Sequence, residues 1–180
     1  MKVTATELPG VKIIEPKVFG DVRGFFVETF QLARYRELAG IELPLVQDNQ
    51  SRSRRGVLRG LHVQRVRPQG KLTRVARGEV FDVAADINPE SPTFGRWIGV
   101  MLSEENQRQL WIPPGYAHGF AVVSELADFE YKCTDYYDPS LEAGAIWNDP
   151  DLGIDWPIDN PTLSEKDRTL PTLAEIKSAR

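Results

Sequence analysis

Short apolar runs, broken at close intervals by turn-forming residues, constrain this chain more than any other feature. The 14 glycines and 13 prolines recur between stretches rich in Val, Ile, Phe and Trp. Such a rhythm reads as many short strands joined by turns, and it points to a sandwich or barrel. Phe81, Val83, Ala85 and Ile87 alternate with Asp82, Ala84 and Asp86, the period of a half-buried strand. Arg77-Gly78 before it predicts a hairpin turn from a strand over 71–76. Further strands are expected over 97–102, 109–112, 120–124 and 128–135. Two helices are expected, one over 28–38 ended by Gly40 and a weaker one over 173–179. A tail from about residue 140, rich in Pro, Asp and Trp, is expected to wrap the barrel. The architecture this predicts is all-β, a cupin-type double-stranded β-helix (jelly roll) with short flanking helices, as one domain over 1–180.

Charge and cysteine content narrow the classes of partner. A net charge of −4 gives no bulk attraction to nucleic acid or to an anionic membrane. No apolar run approaches the roughly 20 residues of a membrane span. The opening Met1-Lys2-Val3-Thr4-Ala5-Thr6-Glu7 lacks the apolar stretch of a secretory signal, so a cytoplasmic location is expected. Cys133 is the sole cysteine, which excludes an intrachain disulfide and a cysteine-rich zinc site. It reads most simply as a small buried apolar residue.

Only two histidines are present, His62 in Leu58-Arg59-Gly60-Leu61-His62-Val63-Gln64 and His118 in Gly115-Tyr116-Ala117-His118-Gly119-Phe120. Histidines at the mouth of a barrel first suggest a metal site. Such sites take three or four ligands, often with two histidines close in sequence. Here they are far apart, and Gln64 stands where a second ligand would be wanted, so no metal is expected. Two readings of His62 then remain, a structural histidine satisfied by a backbone partner or a proton-transfer base, the work an imidazole can do at physiological pH. Arg59 and Lys71 nearby supply positive charge. Strict alternation puts Arg59 and His62 on opposite faces, and a bulge at Gly60 would re-aim one of them. Alternation also places Phe129, Tyr131 and Cys133 on one face, pointing into the barrel. Tyr131 is then either a core tyrosine or a phenol held as a proton donor. The cluster Arg52, Arg54, Arg55 reads as a solvated turn rather than an RNA contact. Trp147 and Trp156 read as packing the tail onto the barrel.

Ordered along the chain stand Val46-Gln47-Asp48-Asn49, Leu58-Arg59-Gly60-Leu61-His62, Gly78-Glu79-Val80-Phe81-Asp82-Val83, Gln109-Leu110-Trp111-Ile112-Pro113, Ala117-His118-Gly119-Phe120, Tyr131-Lys132-Cys133-Thr134-Asp135-Tyr136-Tyr137 and Ile146-Trp147-Asn148-Asp149. With them the chain resembles the dTDP-4-dehydrorhamnose 3,5-epimerases, cupin-fold enzymes of dTDP-L-rhamnose synthesis, from Glu15 to Asp167. The resemblance implies a cofactor-independent isomerase acting on a dTDP-sugar. It implies His62 as general base, Asp167 as the carboxylate paired with it, Tyr131 as the acid on the opposite sugar face, and Lys71 at the developing C4 oxyanion. His118 would lie around the reacting sugar. Arg23, Glu28, Gln47, Asp48, Asn49, Arg59, Glu142 and Lys166 match nucleotide-sugar contacts, and Tyr137 matches a thymine-stacking position. Arg23 and Glu28 would act in a partner subunit's site, which implies a homodimer. Val63 departs from the aromatic residue common after the histidine. Inversion of a single carbon on another dTDP-4-keto-deoxysugar is the alternative, and a sugar-nucleotide-binding module without catalysis is a third reading.

Overall fold

Strands whose side chains alternate in polarity and size sort into two sheets that face one another. The computed structural model describes residues 1–179. In chain order the strands are β1 (Lys2–Ala5), β2 (Lys12–Glu15), β3 (Val18–Asp21), β4 (Gly24–Val27), β5 (Gln47–Arg54), β6 (Leu58–Gln64), β7 (Lys71–Arg77), β8 (Glu79–Ala85), β9 (Trp97–Ser103), β10 (Gln109–Ile112), β11 (Ala117–Val122), β12 (Leu126–Cys133) and β13 (Glu142–Gly144). The helices are α1 (Leu32–Ala39), α2 (Glu165–Arg168) and α3 (Leu173–Ser178). One sheet runs β1-β2-β10-β7-β12-β5, the other β13-β6-β11-β8-β9, and β3-β4 form a separate hairpin. Neighbours distant in sequence interleave between the sheets, which is the cupin-type double-stranded β-helix.

Three apolar layers hold this arrangement. Between the sheets lie Val75, Val80, Leu110, Phe120, Val122 and Phe129. The outer face of the five-stranded sheet (Leu61, Val83, Ala85) is covered by the tail through Leu152, Trp156, Leu173 and Ile176. The outer face of the six-stranded sheet, through Ile14, Leu72 and Trp111, takes Tyr35 and Ala39 of α1. A six-residue helix such as α3 has no stability of its own. Leu173 and Ile176, almost fully buried, dock it at roughly 1.5–3 kcal/mol each. Trp156 lies edge-on to Phe81 and donates its indole N–H to the Trp147 carbonyl at 2.8 Å, so these tryptophans fasten the tail.

Several sequence expectations shift. The strand over 79–85 is buried on both faces rather than half-buried, because the tail covers what would have been its wet side. Arg77-Gly78 is not a hairpin turn: β7 pairs with β10 and β12, whereas β8 pairs with β9 and β11, so the chain crosses from one sheet to the other there. Gly78 (φ 78°) is required at this corner, since a Cβ would sit 2.0 Å from the Leu126 carbonyl oxygen. The first helix begins at Leu32, not Glu28. Gln31 caps it by accepting the Arg34 N–H at 2.6 Å, and Gly40 in the left-handed region ends it. The strands expected over 120–124 and 128–135 run instead from Ala117 to Val122 and from Leu126 to Cys133.

Candidate active site

A one-residue bulge in β6 builds the centre of the site. Against β11, His62 pairs with His118 but Arg59 pairs with Phe120, so the four residues 59–62 of β6 lie opposite the three residues 118–120 of β11. The bulge brings Arg59 and His62 to the same, inward face. Gly60 allows it: a Cβ there would fall 2.5 Å from Gly119 Cα. Arg59 then reaches Ser53 of the opposing sheet, donating to its Oγ at 3.1 and 3.2 Å.

His62 Nε2 lies 2.5 Å from Asp167 Oδ1. An ionised carboxylate only accepts, so Nε2 carries the proton, and in the neutral ring the lone pair sits on Nδ1. Asp167 is delivered by α2, a single turn capped by Ser164, whose Oγ accepts the Asp167 N–H at 3.1 Å. That turn is slung between two fastenings. Upstream, Thr162 exchanges backbone hydrogen bonds with Gly56 and Leu58 at the start of β6. Downstream, Ile146 N–H donates to Pro171, and Leu173 N–H donates to the buried Asp149 carboxylate at 2.8 Å. Burial alone would raise the Asp167 pKa. The hydrogen bond and charge of His62, with Ser164 and Lys166, outweigh it and hold the carboxyl below its ordinary value.

The facing sheet supplies the opposite wall. Tyr131 and Cys133 on β12 and Lys71 on β7 share the inward face, and the cavity they close is also lined by Gln47, Asn49, His62, Val63, Gln64, Gln69, Tyr137 and Glu142. Burial raises the Tyr131 pKa, with Cys133 adding and Arg59 opposing, so the phenol is protonated at neutral pH. Burial lowers that of Lys71, against the pull of Cys133, Asp82 and Glu142. Its ammonium has no hydrogen-bond or ion-pair partner among the described residues and lies 6.0 Å from the Tyr131 ring centroid. Glu142 Oε1 is 3.6 Å from His62 Nδ1, while Oε2 accepts the Tyr137 hydroxyl at 2.6 Å and pairs with Lys166. Among the described residues no group of three or more His, Cys, Asp or Glu is placed to hold a metal ion.

The profile of the dTDP-4-dehydrorhamnose 3,5-epimerase family matches residues 5–175. The dTDP-4-dehydrorhamnose 3,5-epimerase of Salmonella typhimurium is 57% identical over 175 residues, 96% of each chain. That of Pseudomonas aeruginosa is 57% identical over 169 residues, 93% of each. The crystal structure of the dTDP-6-deoxy-D-glucose-3,5-epimerase of Legionella pneumophila in complex with dTDP-4-keto-L-rhamnose superposes with a TM-score of 0.93 at 56% identity, covering 97% of this chain and 96% of that one. This chain belongs to the dTDP-4-dehydrorhamnose 3,5-epimerase family.

In this family member not every residue expected at the site lines one cavity. His62, Lys71, Tyr131, Gln47, Asn49, Tyr137 and Glu142 do, with Asp167 and Lys166 reaching His62 and Glu142 from α2. Asp48 does not: it points to the other face of β5, pairs with Lys132 at 2.8 Å and borders a neighbouring cavity. His118 lies beneath the cavity rather than on it, 6% exposed, stacked on Phe129, with Nε2 2.7 Å from Asp82 Oδ1. Burial lowers the His118 pKa, and Asp82 opposes that. Arg23 sits on the β3–β4 hairpin bound to Asp21, and Glu28 follows it, paired with Arg34. Sequence reasoning missed Asp82 and Thr73, whose hydroxyl donates to Asp82 at 2.7 Å. A carboxylate within the apolar run of Phe81 to Ala85 was the available signal. It also missed Gln64 and Gln69, buried amides whose side chains hold the loop carrying Tyr136, Tyr137 and Asp138.

Proposed function

We propose that this chain inverts C3 and C5 of dTDP-4-dehydro-6-deoxy-D-glucose to give dTDP-4-dehydro-L-rhamnose, in dTDP-L-rhamnose synthesis, working in the cytoplasm. The observation that carries this is a histidine pinned by a carboxylate on one wall of a cavity, with a protonated phenol and an unpartnered ammonium on the other. Both protons to be removed lie next to the C4 ketone, so His62 Nδ1 can take either one and leave an enolate. A positioned base of this kind contributes about 10²–10⁴-fold. Asp167 keeps the ring in the tautomer that exposes Nδ1 and stabilises the imidazolium that forms. Lys71 faces the C4 oxygen as charge grows there, a contribution on the order of 3 kcal/mol for one donor in a dry site. Tyr131 then delivers a proton to the opposite face, which inverts the centre. The proton transfers are complete without a cofactor.

The working form we propose is a homodimer. The cavity encloses about 130 Å³, below the roughly 300–1,000 Å³ of ligand sites. The β3–β4 hairpin meanwhile exposes Val18, Phe19, Val22, Phe25 and Phe26, an apolar ridge that water would not cover in a stable monomer. A second copy meeting this ridge would bring Arg23 and Glu28 to its partner's cavity and complete the wall. Gln47, Asn49, Arg59 and Lys166 would then hold the nucleotide sugar and Tyr137 would stack on thymine, whereas Asp48 and His118 would act from behind the wall.

Incubating the protein with dTDP-4-keto-6-deoxy-D-glucose in D₂O, with and without EDTA, and following C3 and C5 by proton NMR tests this reading. Deuterium at both carbons with inversion is expected, unchanged by chelator. Exchange at one carbon would assign a single-carbon epimerase, and no exchange would leave a binding module.

A further inference from the structure

Glu142 meets His62, Tyr137 and Lys166 with one carboxylate, and its two oxygens divide the work. Oε1 faces His62 Nδ1 at 3.6 Å, the nitrogen left free once Asp167 holds Nε2. Oε2 is held by the Tyr137 hydroxyl at 2.6 Å and by the Lys166 ammonium. The same turn of α2 therefore serves both ends of the imidazole: Asp167 meets Nε2 directly, and its neighbour Lys166 neutralises the carboxylate that meets Nδ1. The Glu142 side chain is 9% exposed, whereas Lys166 is 49% exposed and Tyr137 lies at the surface, so a ligand can reach the partners from solvent while the carboxylate stays enclosed.

We propose that Glu142 couples nucleotide occupancy to the basicity of His62. This rests on the functional reading above, in which Tyr137 and Lys166 contact the nucleotide half of the substrate. A diphosphate carries more charge than one carboxylate and draws the half-exposed lysine away, and a thymine ring claims Tyr137. Oε2 loses its cation, and the uncompensated charge of Glu142 then bears on Nδ1. The base strengthens when a nucleotide sugar is seated and is weaker when the site is empty. The other groups around His62 are Asp167 from α2, Tyr131 from β12, Lys71 from β7 and His118 from β11, with Arg59 on its own strand. A carboxylate losing its counter-charge at this range shifts a neighbouring protonation equilibrium by about tenfold.

The chain has two histidines, so ¹⁵N-histidine NMR resolves His62 with His118 as an internal control. The titration midpoint of His62 is followed with and without dTDP, alongside calorimetry to establish that dTDP binds. In the wild type dTDP should raise the midpoint by about one pH unit, and in Glu142→Gln it should raise it by less than about a third of that. In Lys166→Met the midpoint should already sit near the dTDP-bound wild-type value before dTDP is added. An equal rise in Glu142→Gln, meaning that the phosphates act directly, would overturn the coupling, as would a Lys166→Met protein that titrates like the free wild type. Bound dTDP with sugar deuteration intact but no movement of His62 would overturn this inference alone, whereas failure of dTDP to bind would overturn the functional reading with it.

Discussion

The two histidines are cross-strand neighbours on β6 and β11, and each contacts an aspartate through Nε2 within 2.7 Å, yet the pairs differ in the exposure of the ring and in the origin of the carboxylate. His62 opens onto the cavity at 27% side-chain exposure, and its carboxylate comes from a single turn in the tail. His118 is 6% exposed, and its carboxylate, Asp82, is a fully buried residue of an adjacent strand that also accepts from Thr73. The same chemical pair thus serves two purposes. One is accessible, held by a separately fastened segment, and placed where a proton could be exchanged with a substrate. The other is sealed between sheets and stacked on Phe129, so its first effect is on the integrity of the wall behind Tyr131 and Lys71.

Substitutions that act on one pair and spare the other sharpen that contrast. The largest effect expected is on turnover. His62→Ala should lower exchange at C3 and C5 together by about 10²–10⁴-fold, with a stability loss of about 1–3 kcal/mol because Asp167, whose side chain is 4% exposed, loses its partner. Matched exchange rates and denaturation curves check this, and a surviving rate at either carbon breaks the assignment of one base to both. Asp82→Ala should do the reverse. Removing one partner of a buried pair costs about 3–5 kcal/mol, read as a lower urea midpoint, because His118 and Thr73 are left unpaired in a dry interior. Asp167→Asn should sit between, with a fall in kcat from loss of the productive tautomer and a smaller loss of stability. Equal stability losses at Asp82 and Asp167 would erase the distinction.

The smallest effect is in pH. The His118 pKa is lowered on folding, so the unfolded chain binds that proton more readily. The stability this contributes is complete above the unfolded value, about 6.5, and is lost as pH falls from there through the folded value. The Asp167 pKa is also lowered, and its contribution is complete above about 3.9 and lost as pH falls below it. Stability against pH should therefore fall in two windows. His118→Gln should remove the upper one, and Asp167→Asn should shrink the lower, to which other carboxylates held below their ordinary values, Asp128 and Glu142 among them, also contribute. A single acid transition unchanged by either substitution would show that the pairs are not separate.

Much of the architecture was readable because alternation is a local signal. The inward face of Phe129, Tyr131 and Cys133 follows from period two, and so does the placing of Asp48 opposite Gln47 and Asn49, which a motif read as one unit conceals. Gly60 marked the bulge that brings Arg59 beside His62. Turn chemistry at Arg77-Gly78 says that the chain bends but not which sheet the next strand joins, so a corner and a hairpin read alike in the sequence. The partner of His62 lies 105 residues away on a four-residue helix, and no periodicity links the two. Only resemblance to a family named Asp167. The Asp82–His118 pair went unread because a carboxylate inside an apolar strand looks like its wet face until the tail is seen covering the other side.

The central claim is that the cavity has a base on one wall and an acid on the other. The most direct test is Tyr131→Phe with the 4-keto sugar nucleotide in D₂O, following C5 by proton NMR. Loss of the C5 proton signal without inversion is the result expected, because His62 still removes the proton and returns a deuteron to the same face. Inversion at the wild-type rate would contradict the account, since the second face would then be protonated by something other than Tyr131.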